Sequence, residues 1–165
     1  MHDLIEQIDE SLRTRLYYLS LFGALSVPDI AGALESNDGQ ASGAKYSAWY
    51  ERWARPRYEG NPLTGDACYR FRCSLLHQGS SQHPKSPFDR IIFVEPGSPL
   101  RVHYSQMDDA LVIDLPWFCS EVTTAARMWL DHVKSDPRFT ANLERFAHRR
   151  HGGLFPYIVG VPVVG

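Results

Sequence analysis

An arginine and a histidine five positions apart, Arg72 and His77, are the residues whose types and spacing best suit chemistry in this sequence. The guanidinium of arginine is a permanent cation, and the imidazole of histidine gains or loses a proton near neutral pH. A fixed positive charge beside a proton-transferring group suits cleavage of a phosphodiester without a metal ion. The pair therefore predicts phosphodiester chemistry.

The spacing of the pair places a condition on the helix that carries it. Five positions on an ideal α-helix separate two side chains by about 140° around the axis, so they would not point at one place. Gly79, which follows the pair, could unwind the last helical turn and swing His77 towards Arg72. A symmetric partner could also bring a second arginine and histidine across a shared cleft. We therefore expect a bent helix end or a dimer cleft here.

The elements that must position the pair are mostly helices. Apolar residues recur at three- and four-residue steps, with prolines or capping residues near the expected helix starts. Asp3 is expected to cap the first helix, with Glu6 as its capping-box partner, and Thr64 to cap the helix of the pair. The predicted helices cover about residues 4–19, 27–35, 45–55, 65–76 and 116–134, and a last one begins near residue 137.

Between the fourth and fifth helices, the sequence pattern changes to short strands. Residues 90–94 are rich in β-branched side chains, and residues 102–104 and 110–113 add further strand signals. We expect a small antiparallel β-hairpin or meander insert at about residues 89–114, with the extended tail at residues 158–164 pairing against it. The expected fold is mainly α, a helical bundle with this insert, in a single domain spanning residues 1–165.

The composition excludes several classes of protein. With 165 residues, 44% of them hydrophobic and 22% charged, the chain can bury a core and is not disordered. A formal net charge of -2 gives no overall field for nucleic acid, so any RNA or nucleotide contact must be local. The first residues lack a secretory pattern, and the apolar stretches fall short of a bilayer span. We therefore expect a cytoplasmic protein, with its three cysteines as free thiols.

Residues 68–79, with the sequence CYRFRCSLLHQG, resemble the Arg-x4-6-His helix of the HEPN superfamily, the higher eukaryotes and prokaryotes nucleotide-binding domain. The order of elements is similar over most of residues 1–150, with helices on both sides of the motif and a strand insert before the long helix. The stretches PDIAGALE at 28–35 and QHPKS at 82–86 are similar to a largely uncharacterised bacterial branch that is often carried on plasmids or mobile elements.

The resemblance implies a homodimeric, metal-independent endoribonuclease of a toxin or phage-defence system, with an antitoxin as a further partner and no cofactor. Arg72 would stabilise the phosphorane and His77 would act as the general acid and base. Tyr69, Arg70 and Gln78 would contact the substrate. Active members often carry a polar residue directly after the arginine, where this sequence has Cys73.

Two interpretations without catalysis remain open for the same pair. In the first, Arg72 and His77 bind a nucleotide or RNA and do not cleave it. In the second, the pair is structural: Arg72 forms an ion pair with a carboxylate such as Asp66, and His77 binds exposed carbonyls at the end of its helix.

Three further sites are alternatives to the pair. A zinc site could draw on Cys68, Cys73, His77 and His83, although the sequence has no Cys-x2-Cys knuckle. Cys73 with His77 could form a thiol nucleophile, although no third orienting residue is evident. Two basic clusters could hold RNA, the first with aromatic side chains beside it for stacking. These clusters are Arg52, Arg55 and Arg57 beside Trp49, Tyr50 and Trp53, and the run His148, Arg149, Arg150 and His151.

Overall fold

The computed structural model of the protein describes residues 1–97 and 99–165. Within these residues six α-helices form most of the fold, which confirms the expected mainly α class. They are α1 (His2–Arg13), α2 (Tyr17–Leu34), α3 (Gly43–Trp49), α4 (Gly65–Gln78), α5 (Leu115–Val133) and α6 (Pro137–Leu143). The strands between α4 and α5 are β1 (Arg90–Val94), β2 (Ser105–Met107) and β3 (Ala110–Asp114).

The first predicted helix is wrong in its length, because the chain turns between α1 and α2. Arg15 has a φ of 61°, in the left-handed region that ends a helix. The amide of Leu16 then donates to the carbonyl of Ser11 at 2.8 Å, which closes the end of α1. The apolar residues Leu16 and Leu19, which extended the predicted period, are 50% and 60% exposed.

α2 is the central helix, and it packs against α1, α3, α4, α5 and α6. The predicted short helix at residues 27–35 is wrong as a separate element, because it forms the second half of α2 with Pro28 inside. Four of its residues are at most 1% exposed: Ala24, Leu25, Val27 and Ala31. A helix with apolar residues on most of its sides belongs in a core.

Among the described residues, α2 is the one helix long and apolar enough to cross a membrane by length and composition. However, 56% of it is buried inside the protein. The core helix of a soluble protein meets the same length and composition criteria, and the burial of α2 agrees with that role.

Side-chain caps mark the start of several helices. The Thr64 hydroxyl accepts a hydrogen bond from the amide of Ala67 at 3.2 Å, which confirms the predicted cap of α4. Asp114 and Asp136 cap α5 and α6 in the same way. The capping box predicted at Asp3 and Glu6 is wrong, because α1 has Met1 at its cap position and no side-chain cap among the described residues.

α4 is held close to α3 at one end and ends sharply at the other. A Cβ atom added to Gly65 would lie 2.4 Å from the carbonyl oxygen of Ser47 in α3, so only glycine permits this approach. At the far end, Gly79 adopts a φ of 64° and its amide donates to Leu75. These two glycines fix where the helix that carries Arg72 and His77 begins and ends.

The predicted helix at residues 45–55 is present, but its geometry changes along its length. α3 continues as a π-helical turn at Tyr50–Ala54 and a 3-10 turn at Arg55–Arg57. The aromatic residues of this stretch belong largely to the core, because Tyr46, Trp49 and Tyr50 are at most 1% exposed.

The β insert is present between α4 and α5, with two corrections. Its strand order is β1-β3-β2, and β1 runs parallel to β3, so the sheet is mixed and only the β2–β3 hairpin is antiparallel. The strand predicted at residues 102–104 is wrong and lies instead at Ser105–Met107. The buried face of the sheet packs on the helices through Phe93, whose ring lies 5.5 Å from Phe71 of α4 and 5.2 Å from Phe118 of α5.

Among the described residues the tail does not pair with the insert, so that prediction is wrong. Its four short strands pair with one another: β4 (Arg149–Arg150) with β7 (Val163–Val164), and β5 (Gly153–Leu154) with β6 (Ile158–Val159). Because residues 148–165 fold back on themselves, their strand hydrogen bonds are satisfied locally.

Candidate functional site

Arg72 and His77 meet at the end of α4. Arg72 Nη1 lies 3.1 Å from His77 Nε2, although α4 remains helical through Gln78. The expected unwinding of the last turn is therefore wrong, and the long arginine side chain covers the angular gap instead. A guanidinium has only donors, so Nε2 accepts this hydrogen bond in the tautomer that carries its single proton on Nδ1. His77 is exposed, while the Arg72 side chain is only 20% exposed.

A buried carboxylate from α2 holds the other end of the guanidinium. Arg72 Nη2 lies 2.6 Å from Asp29 Oδ2, and the Asp29 side chain is 11% exposed. The predicted partner Asp66 is wrong, because it forms two contacts with Arg70, at 2.6 and 3.1 Å. We call Asp29, Arg72 and His77 the acid–arginine–histidine cluster.

Burial and charge act in opposite directions on Asp29. Burial raises the pKa of this carboxyl above its usual 3.8, and this effect exceeds the opposing effect of the Arg72 cation. The two side chains are close but poorly aligned, since Asp29 Oδ2 and Arg72 Nε make no well-directed hydrogen bond within the described residues. The contact is therefore an ion pair whose Coulomb attraction opposes, and does not fully offset, the desolvation of the carboxylate.

The three residues expected to contact substrate differ in their surroundings. Tyr69 packs its ring 5.3 Å from Tyr46, and a hydrogen bond with Cys73 raises the pKa of its hydroxyl. Arg70 is bound to Asp66, as described above, and Gln78 is exposed at the end of α4. Of the three, Tyr69 is close enough to Arg72 and Asp29 for both charges to act on the pKa of its hydroxyl.

The cysteines do not form the alternative sites. Burial raises the pKa of the Cys68 thiol to about 12, and its sulfur lies 3.3 Å from the Tyr46 hydroxyl in the core. His83 accepts a hydrogen bond from the Lys85 amide at 3.1 Å. Across residues 1–97 and 99–165, no three His, Cys, Asp or Glu side chains are grouped so that they could hold a metal ion. Among the described side chains, His77 Nε2 is hydrogen-bonded with Arg72, and the Cys73 thiol is hydrogen-bonded with the Tyr69 hydroxyl.

Of the three aromatic residues expected beside Arg52 for stacking, Trp49 and Tyr50 are buried, whereas Trp53 is half-buried and its ring lies 5.0 Å from the Arg52 guanidinium. The structure also contains a second arginine–histidine pair, with Arg52 Nη2 lying 3.3 Å from His132 Nε2 of α5. Both side chains are exposed, and no carboxylate pairs with Arg52 in the described part of the chain. A buried anchor therefore distinguishes the first pair from the second.

Sequence reasoning missed Asp29 as a site residue. The signal available was a lone acidic residue within an otherwise apolar helix, since α2 contains no other charged side chain. Such a residue needs a partner when it is buried, and the partner is found only when α2 and α4 pack together.

No protein-family model, curated protein or solved structure matches this chain. The distances and burial within the acid–arginine–histidine cluster are therefore what bear on its function.

Proposed function

We propose that this protein is a metal-independent endoribonuclease with a HEPN-like bundle, in which the acid–arginine–histidine cluster cleaves RNA. The observation that carries the proposal is the 3.1 Å contact between Arg72 and His77, where the histidine is exposed and the arginine is anchored by a buried carboxylate. A preorganised cation beside a neutral imidazole supplies charge stabilisation and a base at one place.

The neutral His77 ring gives the direction of the first proton transfer. When a phosphate group of RNA binds to Arg72 Nη1, it displaces His77 Nε2 and frees the lone pair that faced the arginine. His77 then takes the proton of the neighbouring 2′-hydroxyl, and the 2′-oxygen attacks phosphorus. The bond to the 5′-oxygen breaks, and protonated His77 returns the proton to that oxygen. The products are a cyclic phosphate end and a 5′-hydroxyl end.

Asp29 acts in this scheme as a positioning residue. It holds Nη2 at 2.6 Å, which leaves Nη1 directed towards His77 and the solvent. Because the Asp29 side chain is 11% exposed, RNA cannot easily take its place as the partner of Nη2. The guanidinium is thereby kept in one orientation for a phosphate. Because the Arg72 side chain is already ordered, substrate binding does not have to restrict its motion.

The proposal includes a biological setting that the resemblance implies. Two copies form a homodimer and bring two clusters to a shared cleft, in a bacterial toxin or phage-defence system acting on cytoplasmic RNA. A neighbouring antitoxin is the expected partner. Formation of a dimer would be measured by sedimentation of the purified protein.

The test is RNA cleavage by the purified protein in the presence of a metal chelator. We expect His77→Ala to slow cleavage about 100- to 10,000-fold, as for loss of a general base. Arg72→Ala should slow it about 100- to 1,000-fold through loss of charge stabilisation. RNA with a 2′-deoxy residue at the cut site should remain intact.

The second arginine–histidine pair provides matched controls. Arg52→Ala and His132→Ala remove the same side-chain types from an exposed contact of similar length, and both should retain full cleavage. Cleavage that disappears in chelator, or that survives His77→Ala, would contradict the proposal. Circular dichroism of each variant separates loss of the fold from loss of the reaction.

A second candidate function is nucleotide or RNA binding without cleavage. The observation that favours it is that His77 Nε2 already lies 3.1 Å from Arg72 Nη1, so the lone pair that a general base needs is occupied in the absence of substrate. In that case the wild-type protein would leave RNA intact but bind it, and Arg72→Ala would weaken the binding.

A further inference from the structure

A cavity lies between the turn that follows β1 and the start of α5, apart from the acid–arginine–histidine cluster. Its volume is about 520 Å³, which is within the usual range for small-molecule sites. Aromatic and charged side chains line it together. They include Tyr58, Glu95, Arg101, His103, Asp114 and Trp117. We call this space the Trp117 cavity.

The aromatic side chains of the Trp117 cavity leave one ring face open. The His103 and Trp117 rings are stacked, with centroids 4.4 Å apart and an interplanar angle of 1°. Tyr58 lies nearly perpendicular to both, 5.0 Å from His103 and 5.6 Å from Trp117. Similar distances to both rings place Tyr58 beside the stack and not on top of it. Among the described residues, no aromatic ring packs on the outer face of Trp117, and this residue is 51% exposed.

A buried hydrogen-bond network holds the stack in place. His103 Nδ1 accepts from the Asp114 amide at 3.2 Å, so its proton must be on Nε2, which lies 3.2 Å from Glu121 Oε1. The other Glu121 oxygen accepts from the Tyr104 hydroxyl at 2.8 Å. Tyr104 itself has a φ of 51°, a strained conformation for a residue with a side chain. A buried carboxylate and a strained backbone are costly features that cluster at functional sites.

The charged groups of the cavity are free to meet a ligand. Arg101 and Glu95 are exposed, and neither forms an ion pair within residues 1–97 and 99–165. Asp114 uses Oδ1 to cap α5 through the Trp117 amide at 2.8 Å. The cavity thus presents one cation, two carboxylates and an open aromatic face.

We propose that the Trp117 cavity binds one nucleotide, either free or as an unpaired nucleotide of RNA. The base stacks on the outer face of Trp117 and extends the existing stack by one ring. Arg101 pairs with the phosphate, and the carboxylates of Glu95 and Asp114 accept hydrogen bonds from the N–H groups of the base. This binding does not depend on the cleavage proposed for the acid–arginine–histidine cluster.

A small organic cation is the rival ligand, since aromatic rings with carboxylates also bind alkylammonium groups. A site for an alkylammonium group usually surrounds the cation with several ring faces. Here His103 and Trp117 are in direct contact, which leaves no space between them, and Tyr58 stands to one side. A flat ring fits the one open face better than a round cation does.

The test is calorimetric titration of the His77→Ala protein, which keeps RNA intact if the proposed nuclease activity exists. The probes are AMP, GMP, CMP, UMP, adenosine, choline and a short single-stranded oligoribonucleotide. Removing the ring by Trp117→Ala should weaken nucleotide binding about 5- to 150-fold, the usual range for stacking of one base. Trp117→Phe should restore much of that loss.

Arg101 provides a second, independent variant because its side chain is exposed. Arg101→Ala should weaken AMP binding and leave adenosine binding unchanged. Arg90→Ala, at an exposed arginine of β1, should change neither and serves as the matched control. Binding of mononucleotides would identify a free nucleotide as the ligand, and binding of the oligoribonucleotide alone would identify RNA. Absence of binding by all nucleotide probes, binding that Trp117→Ala leaves unchanged, or preference for choline would overturn the proposal.

Discussion

The coupling between Asp29 and Arg72 should be large enough for a double-mutant cycle to measure. The variants are Asp29→Ala, Arg72→Ala and the two combined. Removing one partner of a fully buried pair costs about 3–5 kcal/mol, whereas an exposed pair contributes about 0.2–1 kcal/mol. With side-chain exposures of 11% and 20%, this pair lies between the two cases. We expect each single variant to lower the free energy of unfolding by about 2 kcal/mol.

The double variant should cost much less than the sum of the two singles. Once one partner is absent, removing the other also removes an unpaired buried charge, so the coupling free energy should be about 1–2 kcal/mol. For a chain of this length, about 2 kcal/mol corresponds to a fall in Tm of about 4–8 °C.

The assay is urea unfolding followed by circular dichroism, with Tm as a second measure. The exposed neighbours Asp89 and Arg90, whose side chains are 56% and 49% exposed, provide a control cycle. Their coupling should be below about 0.5 kcal/mol. If the Asp29 and Arg72 effects add to within about 0.3–0.5 kcal/mol, the pair is not coupled. Arg72 would then lack its anchor, and the positioning role of Asp29 would be refuted.

Three further predictions concern stability. Glu121→Ala removes the acceptor shared by His103 and Tyr104 inside the core. It should cost about 2–6 kcal/mol in urea unfolding, because each of two buried donors left unpaired costs about 1–3 kcal/mol. A loss below about 1 kcal/mol would show that the network is not stabilising. Because burial raises the pKa of Asp29 above 3.8, the folded protein retains a proton there that the unfolded chain has lost. The free energy of unfolding should therefore fall as pH rises from about 3.8 through the raised pKa, and Asp29→Asn should flatten this slope; an unchanged slope in urea titrations would contradict it. Arg15→Gly relieves a left-handed residue at the end of α1 and should change stability by at most about 1 kcal/mol, in the stabilising direction, whereas Arg15→Val should lower the Tm.

Local patterns in the sequence were enough to predict four of the six helices and both ends of α4. Thr64 begins α4 and Gly79 ends it because a hydroxyl acceptor and a left-handed glycine act within one turn of the chain. Apolar spacing did not reveal the break at Arg15. The three- and four-residue spacing of apolar side chains continues past Arg15, whereas the helical hydrogen bonds of α1 end there. It also missed that α2 continues through Pro28, because the packing of neighbouring helices outweighs the lost amide donor.

In the candidate site, too, the sequence predicted some features and tertiary packing decided the others. Residue types and spacing alone pointed to Arg72 and His77, because a cation and a titratable ring are chemical properties of those residues wherever they lie. Their contact depends on the reach and rotamer of a long side chain, and the anchor Asp29 is 43 positions away from Arg72 in the chain. The parallel pairing of β1 with β3 and the stack of His103 on Trp117 likewise join segments that no local pattern relates. Sequence determined which chemical groups are present, and tertiary packing decided which of them meet, because burial and distance are properties of the folded chain alone.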